Sequence, residues 1–265
     1  MGKDTLTVQS FTLYSSKGIR LQGEVKTLDD GKPHPVIIVS HGFRGYKDWA
    51  FWPDVTSRLA EEGFYAISYN FSRIAAREDG LEEASIAAAS TFSQELDDLQ
   101  TVLQAAADGA LPQPHAADRT KIGLLGHSRA GGSSILTASE KPEQIAALAV
   151  WNGGPPPSRH LPAGETVSLL DLTVQEDWQR NEARFNIREA FAGLQLPALI
   201  VQGDLDREPL LEQLRYFREE APHQQYVLVQ GADHTFNTVH PYRGANAQLQ
   251  TALQATISFF AEKLK

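Results

Sequence analysis

A chain of 265 residues with 42% hydrophobic and 22% charged residues can bury a sizeable core, and one domain spanning 1–265 is expected because α/β folds often reach this size around a single sheet. The net charge of −9 argues against a nucleic-acid partner, since binding there rests on Lys and Arg neutralising phosphates. The absence of cysteine removes disulfides, thiolate metal sites and a cysteine nucleophile together.

From the N-terminus, Met1–Val8 has no apolar leader, and no stretch reaches the roughly 18 apolar residues of a spanning helix, so a cytoplasmic protein without a membrane span is expected. Alternation at Val8, Phe11 and Leu13, a turn at Ser15–Gly18, and then Ile19, Leu21 and Val25 predict an antiparallel hairpin. The continuously apolar run Pro35–Ser40 suits a strand covered on both faces. Pro53 opens a helix carrying Val55 and Leu59, Gly63 closes it, and Phe64–Tyr69 reads as a second internal strand.

A long helical stretch follows, with Phe92, Leu96, Leu99 and Leu103 on one face and a stop at Gly109. Further strands are expected at Lys121–Gly126, Ile145–Trp151, Pro197–Gln202 and Gln225–Gln230. Helices are expected after Ser128, over Leu210–Glu220, and at the C-terminus, where Leu249, Leu253, Ile257, Phe260 and Leu264 share a face. This βαβα order implies an α/β fold with a mainly parallel sheet flanked by helices and an N-terminal antiparallel hairpin, and it puts ligand sites at the carboxyl ends of the strands. The interval from Asn152 to Leu196 breaks the alternation and is expected to be a small lid insertion, about 152–196.

The strand ending at Leu125 runs directly into Gly126-His127-Ser128-Arg129-Ala130-Gly131-Gly132 and then a helix. A serine on such a sharp turn needs small neighbours, because its backbone is strained and other segments pack close. The usual pattern has Gly where this chain has Ala130, and a Ser/Gly-rich helix start that merely caps, packs or binds phosphate is the competing reading.

Chain order favours the chemical reading. After the strand ending at Gln202 comes Gly203-Asp204-Leu205-Asp206, and after the strand ending at Val229 comes Gly231-Ala232-Asp233-His234. Serine, acid and histidine thus arrive in the order Ser…Asp…His, each just past a predicted strand. A serine hydroxyl is a weak nucleophile until an imidazole takes its proton, and the imidazole needs an anion to hold its tautomer. The catalytic candidates are therefore Ser128, His234 and Asp206, the last preferred over Asp204, which would be a turn residue.

Two backbone amides are candidates for an oxyanion hole: Arg129, the residue after the serine, and Phe43 in the loop His41-Gly42-Phe43-Arg44-Gly45. His41 is expected to staple its loop and His127 to be held within the turn, while His34, His115, His160, His223 and His240 carry little signal. No spacing suggests a metal centre, and no cofactor is implied. Among aromatics that could line an apolar pocket, Trp178, Phe236 and Trp151 are the substrate-binding candidates, although aromatics of this size are more often plain core.

Taken together, these residues resemble the α/β-hydrolase superfamily across nearly the entire chain. Within it, His41-Gly42-Phe43-x-Gly45, Gly126-His127-Ser128 and Gly231-Ala232-Asp233-His234-x-Phe236 look like bacterial carboxylesterases of the cinnamoyl or feruloyl esterase type. The resemblance implies a serine carboxylesterase with a small-molecule ester substrate, an aromatic acyl group in the narrower version, and a lid where 152–196 falls. Two departures stand: Asn70-Phe71-Ser72 replaces a Gly-His-Gly-type loop, and the lid matches no specific signature. A peptidase or thioesterase with the same triad, and a catalytically silent binding protein of this fold, are the alternatives; the oligomeric state is open, a homodimer included.

Overall fold

A computed structural model describes residues 5–154 and 167–265. The opening Met1–Asp4, and Pro155–Pro157 and His160 of the expected insertion, lie outside the described residues. The expected hairpin is β1 (Thr5–Tyr14) and β2 (Arg20–Asp29), paired antiparallel from Thr5 opposite Asp29 to Tyr14 opposite Arg20. Its turn closes where Ser15 N–H donates to Ile19 O, with Gly18 at φ 72°.

The apolar run becomes β3 (His34–Ser40), buried along its whole length. Next come α1 (Trp52–Glu61) and β4 (Tyr65–Tyr69). The single helical stretch expected after β4 is three helices: α2 (Ser72–Glu78), α3 (Glu83–Ala89) and α4 (Phe92–Asp108). Gly80, at φ 64°, ends the first, and Thr91 restarts the chain as an N-cap by accepting the Gln94 N–H on its hydroxyl. Gly109 takes the left-handed C-terminal conformation expected of a helix-ending glycine.

The strand that leads to Ser128 is longer than expected. It is β5 (Ala117–His127), and its early residues pair with His34 and Pro35 across a register shift at Pro35/Val36. Then follow α5 (Arg129–Glu140), β6 (Ala147–Trp151), α6 (Leu169–Arg180), α7 (Ile187–Ala192), β7 (Ala198–Gly203), α8 (Glu208–Glu220), β8 (Gln225–Val229) and α9 (Ala247–Leu264). Among the described residues eight strands form one mixed sheet in the order β1-β2-β4-β3-β5-β6-β7-β8. From β4 to β8 every neighbouring pair is parallel, whereas β1, β2 and β4 pair antiparallel.

Alternation along the internal strands divides the core in two. Val36, Ile38, Leu124, Leu148, Val150 and Ile200 meet α4, α5 and α8 on one face, while Ile37, Val39, Leu125, Ala149 and Val201 meet α1 and α9 on the other. Between β6 and β7 the described chain adds α6 and α7. Helix α6 has no buried residue and docks through Asp177, which accepts from the Ser93 N–H and hydroxyl at the start of α4. Helix α7 is pinned more firmly, with the Phe191 ring 4.1 Å from that of Phe217. No helix among the described residues is long and apolar enough to cross a membrane.

Candidate active site

Ser128 stands at the carboxyl end of β5 with φ 57° and ψ −126°, a conformation that L-residues rarely adopt. Its N–H donates to Trp151 O and its carbonyl accepts from Gly131 and Gly154, so both flanks are tied down. The surrounding glycines are there for space. A Cβ on Gly126 would lie 2.3 Å from Ala130 O, and one on Gly131 would lie 2.7 Å from Val150 Cγ1 and 2.8 Å from Gly153 Cα. Ala130 fits where glycine is usual because its methyl points into the core on the α4–α5 face, fully buried. The close backbone approach falls instead on Gly131 and on Gly132, where a Cβ would sit 2.8 Å from Gly154 O.

The three catalytic candidates come together in one hydrogen-bonded chain. Ser128 Oγ is 2.8 Å from His234 Nε2, and His234 Nδ1 is 2.8 Å from Asp206 Oδ2 and 3.1 Å from Oδ1. The carboxylate fixes the tautomer, with Nδ1–H donating to Asp206 and Nε2 left to accept the serine proton. Burial pushes the Asp206 carboxyl up, but hydrogen bonds from His234, the Arg207 N–H and Gln202 Nε2 outweigh it and hold it below its ordinary value. Asp204 lies outside this chain, its carboxylate accepting the Gly231 N–H at 2.7 Å between two loops.

The imidazole is held from its backbone as well. His234 O accepts from His127 Nε2 and from Asn152 Nδ2, both at 2.9 Å. Asn152 also accepts the Gly203 N–H at 2.7 Å, which couples the ends of β6 and β7 to the histidine loop. Burial pushes the His127 imidazole down to about 3, so it serves as a neutral donor. Arg207, largely exposed, brings Nη2 to 3.4 Å from His234 Nε2. Asn152, Gln202 and Arg207 were not among the sequence candidates; their position just past β6, at the end of β7 and beside Asp206 is the only signal that marks them.

The Phe43 loop lies against the serine. A Cβ on Gly42 would be 3.1 Å from Ser128 Cβ and 3.2 Å from His127 Nδ1, so any larger residue would press the loop against the serine. His41 is buried, and Nδ1–H donates to Gly42 O at 2.8 Å while Nε2 faces the Phe71 N–H at 3.5 Å. Burial, reinforced by the Arg73 charge, keeps this imidazole well below its usual value and therefore neutral. Arg73 donates to Gly42 O and Phe43 O at 3.0 and 3.1 Å. Arg129 follows the serine at the start of α5, its guanidinium 4.1 Å over the Phe43 ring. A hydroxyl activated in this way, standing at the start of α5 with the Gly42 loop packed against it, can attack an acyl carbon.

The aromatic candidates behave differently. Trp151 and Phe236 are fully buried and meet each other edge to face at 5.3 Å, on the α1–α9 side of the sheet. Trp151 also stacks on Trp52 and donates Nε1–H to Thr256 Oγ1, so neither ring lines an open pocket. Trp178 is half-buried and packs on Phe185, which stands on Phe92, so its ring secures α6 against the core. Among the described residues no three His, Asp or Glu side chains gather as a metal ion would require.

Comparison with known proteins agrees with this geometry at the level of fold and family. The chain superposes on dienelactone hydrolase from Anabaena variabilis with a TM-score of 0.67, 16% identity, and coverage of 98% of this chain and 99% of the other. Est1E from Butyrivibrio proteoclasticus, solved with ferulic acid bound, gives 0.72 at 19% identity over 96% and 98% of the two chains. An esterase domain from Rhodothermus marinus gives 0.63 at 17% identity over 97% of each. No curated protein sequence matches. The profile of the dienelactone hydrolase family matches residues 22–264, nearly the full length, and the chain belongs to that family, within the α/β-hydrolase superfamily.

Proposed function

We propose that this protein is a serine esterase that hydrolyses small-molecule carboxylic esters through an acyl-enzyme. The observation that carries this reading is the unbroken chain from Ser128 Oγ through His234 to Asp206, with both links at 2.8 Å. Ser128 Oγ attacks the ester carbonyl as its proton passes to His234 Nε2, and Asp206 stabilises the imidazolium that forms. The oxyanion is held by the N–H groups of Phe43 and Arg129. His234 returns the proton to the departing alkoxide, and water then repeats the sequence on the acyl-enzyme, releasing the acid and restoring Ser128.

Similarity to Est1E, whose structure holds ferulic acid, supports an aromatic acyl group as the narrower substrate class. The interval 152–196 serves as a lid in this reading, which is supported by Gly154 bonding to Ser128 O and by the lack of buried residues on α6. The lack of cysteine supports a cytoplasmic location.

Fluorophosphonate labelling of the purified protein tests the mechanism. Stoichiometric labelling is expected, with none in Ser128→Ala; a folded wild type that takes no label would sink the reading. A panel of acetate, butyrate and hydroxycinnamoyl esters then tests the substrate class. Hydroxycinnamoyl esters that turn over no faster than butyrate esters would remove the aromatic-acyl version and leave the esterase.

A further inference from the structure

Behind the Phe43 loop lies a buried ionic cluster that the triad does not use. Glu95, on α4, is about 1% exposed, as are its partners Arg73 on α2 and, nearly so, Arg129 on α5. Glu95 Oε2 accepts from Arg129 Nε at 2.8 Å and from Arg73 Nη1 at 3.2 Å, and Oε1 accepts from the Ser133 hydroxyl at 3.1 Å. Each arginine then reaches onward. Arg73 donates to both Gly42 O and Phe43 O, and Arg129 donates to Ser90 O and Thr91 O at 2.9 and 3.2 Å. The Phe43 ring lies against both guanidinium groups, 5.0 Å from that of Arg73 and 4.1 Å from that of Arg129.

Two buried cations this close repel each other, and Glu95 is the carboxylate that bonds directly to both. One of these cations grips the carbonyls of the Phe43 loop. The other belongs to the residue whose N–H follows the serine. We propose that Glu95 is a positioning residue that fixes the separation of the two oxyanion donors, Phe43 N–H and Arg129 N–H. The inference rests on the serine-esterase reading, because only an acyl-transfer reaction gives that separation a consequence. Oxyanion donors contribute through their aim at a charge that develops in the transition state, so misplacing them lowers kcat more than it raises KM.

The test is Glu95→Gln, which keeps the side chain's shape and one acceptor but removes the charge between the two arginines. Turnover is measured per fluorophosphonate-labelled site, so that a smaller folded fraction does not register as slower chemistry. The expected outcome is a fall in kcat of about 10- to 100-fold, below the loss of an entire donor, with KM within about threefold. Affinity for a boronic acid, which forms a tetrahedral adduct on serine, should fall by a similar factor. Ser133→Ala, which removes one bond to Glu95 without touching either donor, should show a smaller fall in kcat of the same kind.

Should Glu95→Gln not fold, Arg73→Lys carries the test, since one ammonium retains the charge but cannot hold Gly42 O, Phe43 O and Glu95 together. A fall in kcat of about tenfold or more is expected there. A labelled wild type with kcat and boronate affinity within threefold in the variant overturns the inference alone. A wild type that takes no label overturns the esterase reading and the inference with it.

Discussion

Asn152 neither carries charge nor transfers a proton, yet its amide joins three loops at the site. Its Oδ1 satisfies the Gly203 N–H and its Nδ2 donates to His234 O. Truncation to Ala would leave a buried N–H at the end of β7 unpaired, which costs about 1–3 kcal/mol, and would take one of two side-chain donors from the carbonyl of the histidine. Asn152→Ala is therefore expected to lower the urea midpoint and also kcat, with labelling still confined to Ser128; unchanged turnover would mean that His127 alone holds the imidazole. The contrast with the triad candidates shows what a sequence reveals. Ser128, Asp206 and His234 each follow a recognisable strand, so topology alone brings them to one edge. Asn152 also follows a strand, but its partners are 51 and 82 residues away and no local pattern announces them. The same holds for Glu95, whose partners Arg73 and Arg129 come from separate helices.

At the scale of elements, the turn from β5 into α5 shows how a departure from a motif is accommodated. The usual glycine matters because the helix start must clear a neighbouring strand, and here that clearance falls on Gly131, which faces Val150 and Gly153. Gly131→Ala is thus expected to destabilise the fold by about 1–3 kcal/mol, because a packed β-branched side chain and the Gly153 backbone stand in the way. Ala130→Gly, which restores the common spelling, should also destabilise, by about 1–2 kcal/mol, through a lost buried methyl and a freer helix backbone. Its kcat should stay near that of the wild type. Urea unfolding checks both, and an Ala130→Gly variant more stable than the wild type would contradict this account of the turn. The same scale explains the aromatic candidates. In β6 every residue is buried, so exposure gives no alternation to read, and only the packed sheet shows Ala147, Ala149 and Trp151 turned toward α1 and α9. Trp151 ends a strand next to the serine in the chain of contacts yet spends its ring on Trp52 and Phe236.

For the whole molecule, the ionic cluster behind the Phe43 loop links the candidate site to global stability through Asp98. This carboxyl is fully buried on α4, accepting from the Ser72 N–H at 2.7 Å and Gln94 Nε2 at 2.9 Å, with the Arg73 charge and the Tyr69 hydroxyl within electrostatic reach. Burial pushes its pKa from an ordinary 3.8 up to about 7, against the pull of those hydrogen bonds and of the Arg73 charge. Between these two values the folded protein keeps a proton that the unfolded chain has released. Stability from this group is therefore complete below 3.8 and is lost as pH rises through about 7, with a slope of at most about 1.4 kcal/mol per pH unit for one proton. Asp206 works in the opposite sense, since its folded value is lowered and its contribution disappears as pH falls. Comparison of the wild type with Asp98→Asn separates the two, because the variant retains Asp206 but cannot ionise at position 98. Unfolding free energies from urea titrations at pH 5 and pH 8 should show the variant gaining on the wild type as pH rises. Parallel pH profiles for the two proteins would show that Asp98 carries the same charge folded and unfolded, and that the cluster beneath the Phe43 loop is no pH-dependent load on the fold.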